Sequence, residues 1–329
     1  MSGTMSGAPD PIAALVARRL LQLPFIVLAV YTLTFVLAWS VPGNPLENPD
    51  GRRPPAEIVE AMQKQYKLDD PVAFYTDYLS KASGVAWLLG RAEPGRPVFD
   101  LGPSLRQPDW SVNEILSNGL PVSMTLGLSA MLIAVAVGVA AGTVGGLRPG
   151  SLADAATQVL AIAGISLPSF VIGSALLMLL AVRLGLFPVG GWGGVSFVVL
   201  PAFTLSLPFA AYISRLVRFG MIEEMAADHV RTARAKGLPR WKVALKHALK
   251  NAFLPVLSYL GPATAMALTG SFVVEKVFAV PGIGQHFVDG VLGKDITLVM
   301  GVVLVYSTLM VVFNLAVDVL YRFVDPRMG

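Results

Sequence analysis

The chain has 329 residues, of which 54% are hydrophobic and only 14% charged; its mean hydropathy is +0.65 and its formal net charge +4. A soluble chain of this length needs roughly a quarter of its residues charged to cover its surface, so an ordinary soluble enzyme and a disordered scaffold are excluded. With no cysteine and three histidines, disulfides, thiolate nucleophiles and Cys-based metal sites are excluded too, and little remains for a zinc or haem centre.

A spanning helix needs about 20 mostly apolar residues to cross roughly 30 Å of hydrocarbon. The first such run, residues 20–41, follows Arg18-Arg19 after a short N-terminal segment, 1–19. It is too long for a signal peptide and ends at Val41-Pro42-Gly43-Asn44-Pro45 rather than in small residues, so it reads as a retained helix. Residues 42–119 form a polar segment too long for a turn, read as a small subdomain. Within it, Pro54–Tyr66 predicts a short helix with Pro at its start and Ile58, Met62 and Tyr66 on one face. Val85–Val98, with its Gly and Pro, reads as a loop insertion. Further apolar runs at 120–147, 155–182, 197–213, 252–274 and 296–321 bring the total to six spans. The fourth contains Pro201 and Pro208, and 120–322 as a whole reads as the membrane core.

Charge sets the orientation. Segment 214–251 carries nine basic residues (Arg215, Arg218, Arg231, Arg234, Lys236, Arg240, Lys242, Lys246, Lys250) against three acidic (Glu223, Glu224, Asp228). Short basic loops stay in the cytoplasm, which puts 214–251, both termini and the tail 323–329 inside, and 42–119 outside. Arg18, Arg19, Arg148, Arg322 and Arg327 agree with that arrangement.

Within the basic segment, Asp228–Gly237 has good helix formers running into a glycine that can stop the helix, with cations at its C-terminal end. A second cationic amphipathic piece, 241–250, follows. Such a segment either lies on anionic headgroups or docks into a cytoplasmic partner, with Ala233 and the turn at Gly237 permitting close approach.

Arg231-Thr232-Ala233-Arg234-Ala235-Lys236-Gly237-Leu238-Pro239, followed by His247-Ala248-Leu249-Lys250-Asn251, resembles the coupling loop of ABC-importer permeases, and more narrowly that of the B-type membrane subunit of oligopeptide/dipeptide importers. The generic loop reads Glu-Ala-Ala with Gly three residues later; here Arg231-Thr232 stand at its first two places. Five other segments agree in order: Val41–Pro45, Leu120-Pro121-Val122-Ser123, Leu167-Pro168-Ser169-Phe170, Pro281-Gly282-Ile283-Gly284-Gln285, and Val317–Tyr321 with Asp325-Pro326-Arg327. The resemblance spans about residues 12–329 and departs from the family near 85–98.

The resemblance implies an all-α membrane protein with six transmembrane helices and the type I ABC-importer permease fold, resident as a multi-pass protein in a bacterial inner membrane. It implies a homologous C-type permease partner, two ATPase subunits that bind ATP and Mg, and an extracytoplasmic peptide-binding protein. Nucleic acid is not a partner. The coupling residues it implies are Arg231, Thr232, Ala233, Arg234, Ala235, Lys236 and Gly237. The chain itself has no G-x4-G-K-[ST] loop, so it is not expected to be a catalyst and needs no cofactor or metal of its own.

Other candidates divide between packing and transport. Gly138, Gly142 and Gly146 recur at spacing four, which lets helix backbones pack closely in lipid. Pro168, Pro201, Pro208, Pro255 and Pro262 read as static kinks. By resemblance Pro281, Gly282, Gly284 and Gln285 lie over the translocation path, in a turn returning the chain to helix six. Glu275 and Asp318 are functional candidates as ionisable groups at membrane depth, Glu275 with the outer loop of the translocation path; both sit near the interfaces, where they can instead meet water, and Asp318 can pair with Arg322 one turn on. Nickel and glutathione importers use similar permeases, so cargo stays open. An ion-driven carrier would show internal repeats and a paired charged site near mid-membrane, and neither is seen.

Overall fold

The computed structural model describes residues 12–42, 46, 56–107, 109–269 and 271–324. Gly43-Asn44-Pro45, Pro54-Pro55, the segment before Ile12 and Asp325-Pro326-Arg327, with the rest of the tail, lie outside the described residues. The described residues are helical or in turns, without a strand. They carry five helices long and apolar enough to cross a membrane, and a sixth such segment if one sharply bent pair counts as one span. The chain divides into two compact units.

The first unit takes the described residues within 12–20, 123–280 and 310–324. Helix α1 runs Ile12–Ser40, beginning before the apolar run because Ile12–Arg19 are themselves adequate helix formers. The second unit takes the described residues within 21–122 and 281–309 and holds three short helices. They are α2, Ala56–Gln65, α3, Pro71–Ala82, and α4, Val85–Leu88. Helix α3 starts where Asp70 accepts from the N–H groups of Val72 and Ala73 with Pro71 behind it. Its Phe74 and Tyr78 pack with Tyr31 and Phe35 of α1, and Met62 and Tyr66 cover that cluster. The stretch expected as an insertion, 85–98, opens with the single turn α4 and continues as turns.

Helix α5, Val112–Leu147, begins eight residues before the apolar run. Its start is a capping box: Glu114 N–H donates to Ser111 Oγ at 3.2 Å while Ser111 N–H donates to Glu114 Oε2 at 2.9 Å. At 36 residues it is about 54 Å long, well over the hydrocarbon thickness.

The third expected span is not one helix. It is α6, Leu152–Ser166, and α7, Ser169–Leu176, the latter continued by a π-helical stretch Leu177–Arg183, and the two parts meet at 106°. Pro168 disfavours the helical conformation at the residue before it, and Leu167 is extended (φ −85°, ψ 130°). Pro168 therefore breaks the helix instead of kinking it.

Helix α8, Val195–Glu224, is the most enclosed of the spans and packs against α5, α6, α7 and the helices that follow. It contains Pro201 and Pro208 without breaking and runs eleven residues beyond the expected end at 213. The extension is held by a buried face, Ser214, Val217 and Met221, so Arg215, Arg218, Glu223 and Glu224 belong to the helix and the connecting segment begins at 225. There follow α9, Asp228–Ala235; α10, Arg240–Val243, with a π-helical turn Ala244–Ala248; and α11, Leu249–Ala252. The fifth span is α12, Leu254–Thr269, with α13, Phe272–Val277.

Pro281-Gly282 does not lead directly into the last span. It opens α14, Ile283–Gly293, before α15, Ile296–Val324. Buried Ile283 packs in a second apolar cluster with Val112, Leu116 and Val302, which is what this extra helix contributes. Asp295, fully buried, caps α15 by accepting from Leu298 N–H at 3.1 Å and Thr297 Oγ1 at 2.9 Å.

Candidate functional site

The basic segment after α8 is a compact, externally charged knob. Helix α9 lies on α10 and the π-helical turn, and Val230 and Ala233, three apart on one face, are both buried, as are Val243, Ala244 and Ala248. Ala233 is therefore covered within this chain, on the side of α9 that meets α10 and the π-helical turn. The residues α9 and its turn offer outward are Arg231, Thr232, Arg234, Ala235, Lys236 and Gly237.

Gly237 ends α9. Its N–H donates to Arg234 O at 2.9 Å and Lys236 N–H to Thr232 O at 3.2 Å. Its φ of +77° is the left-handed region that L side chains rarely adopt, while a Cβ there would meet nothing within 4 Å. Backbone, not crowding, selects glycine at this position.

The knob is fastened to the spans at two points, Glu224 and Leu147, and tied internally at a third. Glu224, the last residue of α8, accepts from Asn251 Nδ2 at 3.1 Å and contacts His229 Nε2 at 3.3 Å. Arg234 Nη2 reaches Met225 O at 3.3 Å. Arg240 Nη2 donates to Leu147 O, the last carbonyl of α5, where helix C-termini favour a cation. The knob is thus tied to the ends of both α5 and α8.

The three glycines of α5 pack on α8. A Cβ at Gly138 would lie 2.7 Å from Ala210 O, at Gly142 2.4 Å from Ser214 O, and at Gly146 2.5 Å from Met221 Cβ. None of these contacts admits a methyl group without movement. Beside them, Asp154 on α6 accepts from Arg218 Nε at 2.5 Å and Nη2 at 2.9 Å, from Gly150 N–H at 2.8 Å and from Gln158 Nε2 at 3.1 Å. Sequence reasoning missed this pair because Arg218 was counted with the basic loop and Asp154 was not singled out.

Two ionisable groups lie elsewhere than expected. Glu275 does not meet water: it is wholly buried, and its Oε1 accepts from Ser123 Oγ at 2.7 Å and Ser271 Oγ at 2.5 Å. Burying a carboxylate requires such donors. Asp318 pairs across the bundle with Arg19, whose Nε and Nη2 approach its Oδ2 at 3.0 and 2.7 Å. This partner lies on a neighbouring helix, and the side chain of Arg322, the partner expected a turn along, lies outside the described residues. Pro281 is exposed, Gly282 and Gly284 are buried and Gln285 is half-buried at the start of α14; they lie in the second unit, and Glu275 in the first.

Comparison with known proteins places this architecture. Residues 134–329 match the family described as binding-protein-dependent transport system inner membrane component. The dipeptide transport system permease protein DppB of Bacillus subtilis (strain 168) is 39% identical over 321 residues, covering 96% of this chain and 98% of that protein. The oligopeptide transport system permease protein OppB of Escherichia coli (strain K12) is 38% identical over 314 residues, covering 95% and 98%. Among solved structures, the inward-facing MetNI methionine ABC transporter matches with a TM-score of 0.50 at 18% identity, over 64% of this chain and 96% of that one, which speaks to the fold. The chain belongs to the binding-protein-dependent transport system inner membrane component family. It is a multi-pass inner-membrane permease subunit with the importer-permease fold, a transport component and not a catalyst.

Proposed function

We propose that this chain is the B-type permease of an ATP-driven importer of oligopeptides or dipeptides, supplying half of the translocation path. The observation that carries the cargo class is end-to-end similarity to dipeptide and oligopeptide permeases, over 95–96% of the chain at 38–39% identity. A homologous C-type permease supplies the other half, and an extracytoplasmic peptide-binding protein delivers the cargo. Two ATPase subunits bind ATP and Mg2+, and one of them receives the outward face of α9 and the turn at Gly237. The fastening of the knob to Glu224 through His229 of α9, and to Leu147 through Arg240 of α10, supports this role, because closure of the ATPases would be delivered to the ends of α8 and α5. Both termini and the knob face the cytoplasm, in keeping with the basic excess around the knob, and residues 42–119 face outward.

The test is a pull-down of tagged chain from mildly solubilised membranes, with copurifying proteins identified by mass spectrometry. A second permease and ATPase subunits are expected. Recovery of this chain alone, active in ATP-free liposomes, overturns the reading.

A further inference from the structure

The groove between α6 and α8 holds a charge that no described residue neutralises. Arg215 and Arg218, one turn apart on α8, line a groove of about 140 Å3 together with Gln158, Ile162 and Phe219. Arg218 is engaged by Asp154, and that carboxylate also takes the Gly150 N–H and Gln158 Nε2. Asp154 is therefore committed to its neighbour. Arg215 is exposed and makes no hydrogen bond or ion pair with any described residue. An arginine on a membrane-spanning helix is costly without a counter-charge or a route to the interface.

Depth on the helices says what kind of anion is within reach. The turn between α5 and α6, Arg148–Ser151, is where two apolar helices leave the bilayer, and Arg218 meets Asp154 beside it. Arg215 lies one turn further along α8 toward the bilayer, about 4.5 Å at 1.5 Å per residue. Gln158 lies one turn into α6 on the same side. The apolar runs of the sequence end at 147 and 213 and resume at 155, which sets this level at the edge of the hydrocarbon, where lipid phosphates lie. The groove's shoulders suit hydrocarbon: Ile162 is 59% and Phe219 58% exposed, and Val159 and Leu160 of the same helix are more exposed still. A water-filled path would not be walled in this way.

We infer that the α6–α8 groove is a binding site for an anionic phospholipid, with the Arg215 guanidinium on its phosphate, the Gln158 amide beside it, and the first acyl carbons against Ile162 and Phe219. Basic grooves between membrane helices are suited to such headgroups. The inference rests on the chain's being membrane-spanning, and not on its cargo or partners.

The membrane complex, purified through a tag on this chain, is transferred to nanodiscs of phosphatidylcholine mixed with phosphatidylglycerol, and retained lipid is counted by native mass spectrometry. Wild type retains phosphatidylglycerol in preference to phosphatidylcholine. Arg215→Gln lowers that retention about fivefold, the factor for one basic residue at a membrane surface, while Arg215→Lys keeps most of it. Equal retention by Arg215→Gln overturns the proposal. On unmutated protein, a photoreactive phosphatidylglycerol labels peptides from α6 or from residues 210–224; labelling elsewhere only overturns it as well. A cysteine at Ile162 that cross-links efficiently to a second protein of the complex would show the groove covered by protein, which also sinks the idea.

Discussion

Asp154 and Arg218 face each other in a two-point contact, Nε on one carboxylate oxygen at 2.5 Å and Nη2 on the other at 2.9 Å. The side chain of Asp154 is 1% exposed and that of Arg218 15%. The pair joins α6 to α8 beside Gly145, whose absent Cβ would come within 3.1 Å of Asp154 Oδ1. Removing one partner leaves an uncompensated charge, which is worse than removing both. Asp154→Asn is expected to lower the melting temperature of the detergent-solubilised protein by several degrees, and Asp154→Asn/Arg218→Gln by less. A double variant no more stable than the single one would show that the carboxylate serves the Gly150 turn, not the ion pair.

Close packing of α5 on α8 is tested at Gly142, where a methyl group would fall 2.4 Å from Ser214 O. Gly142→Ala is expected to cost about 1–3 kcal/mol through forced backbone shifts, visible as reduced membrane-embedded protein. Gly194→Ala serves as control, since nothing lies within 4 Å of its Cβ. Equal expression of the two variants would contradict the packing.

Gly237 separates backbone from docking. Asn tolerates left-handed backbone better than most residues, so Gly237→Asn is expected to insert normally and keep part of the uptake, whereas Gly237→Asp, adding negative charge to the proposed docking turn, inserts but loses uptake. Normal uptake by Gly237→Asp at normal expression would remove the turn from the coupling surface.

Ser83 caps α3 on an exposed surface. In a chain without cysteine, Ser83→Cys is expected to react with a membrane-impermeant maleimide in intact spheroplasts. Labelling only after lysis would invert the proposed orientation.

Asp77, in α3, gives a pH test. Burial pushes its carboxyl up, but hydrogen bonds from Lys67 and Lys81 outweigh this and hold it below the usual range. A depressed folded value stabilises above the unfolded value, about 3.9, and that stability is lost as pH falls through the folded value. The melting advantage of wild type over Asp77→Asn is expected at pH 7 and should vanish on acidification below about 3.9; an advantage that grows there would reverse the sign.

Much of the membrane architecture was readable because hydrocarbon demands long apolar runs, and five of six expected spans are continuous or nearly so. What failed has local causes. Pro168 breaks a helix while Pro201 and Pro208 do not, since packing around α8 compensates for lost backbone bonds and nothing in the tripeptide itself announces this. Arg215 and Arg218 resemble loop residues until the buried face Ser214–Val217–Met221 is followed through them. Two signals were present and unread: Asp70-Pro71 as the cap of α3, and Ser111-x-x-Glu114 as the start of α5. The coupling segment was visible as a motif, but its inward and outward faces were not, because Ala233 turns toward a helix that sequence spacing alone does not place beside it. Ser123, one of the partners of Glu275, and Arg19, the partner of Asp318, are 152 and 299 residues away, beyond any local pattern.

That last separation bears on how the protein is made. Arg19 is synthesised 299 residues before the carboxylate that balances it; at about 5–20 residues per second the interval is roughly 15–60 s. Through that time the Arg19 guanidinium lacks this carboxylate, which arrives only with α15. Closure of the Arg19–Asp318 pair is therefore a marker for completed assembly of the first helix with the last, and a chain truncated before Asp318 leaves α1 with its cation unbalanced by that carboxylate.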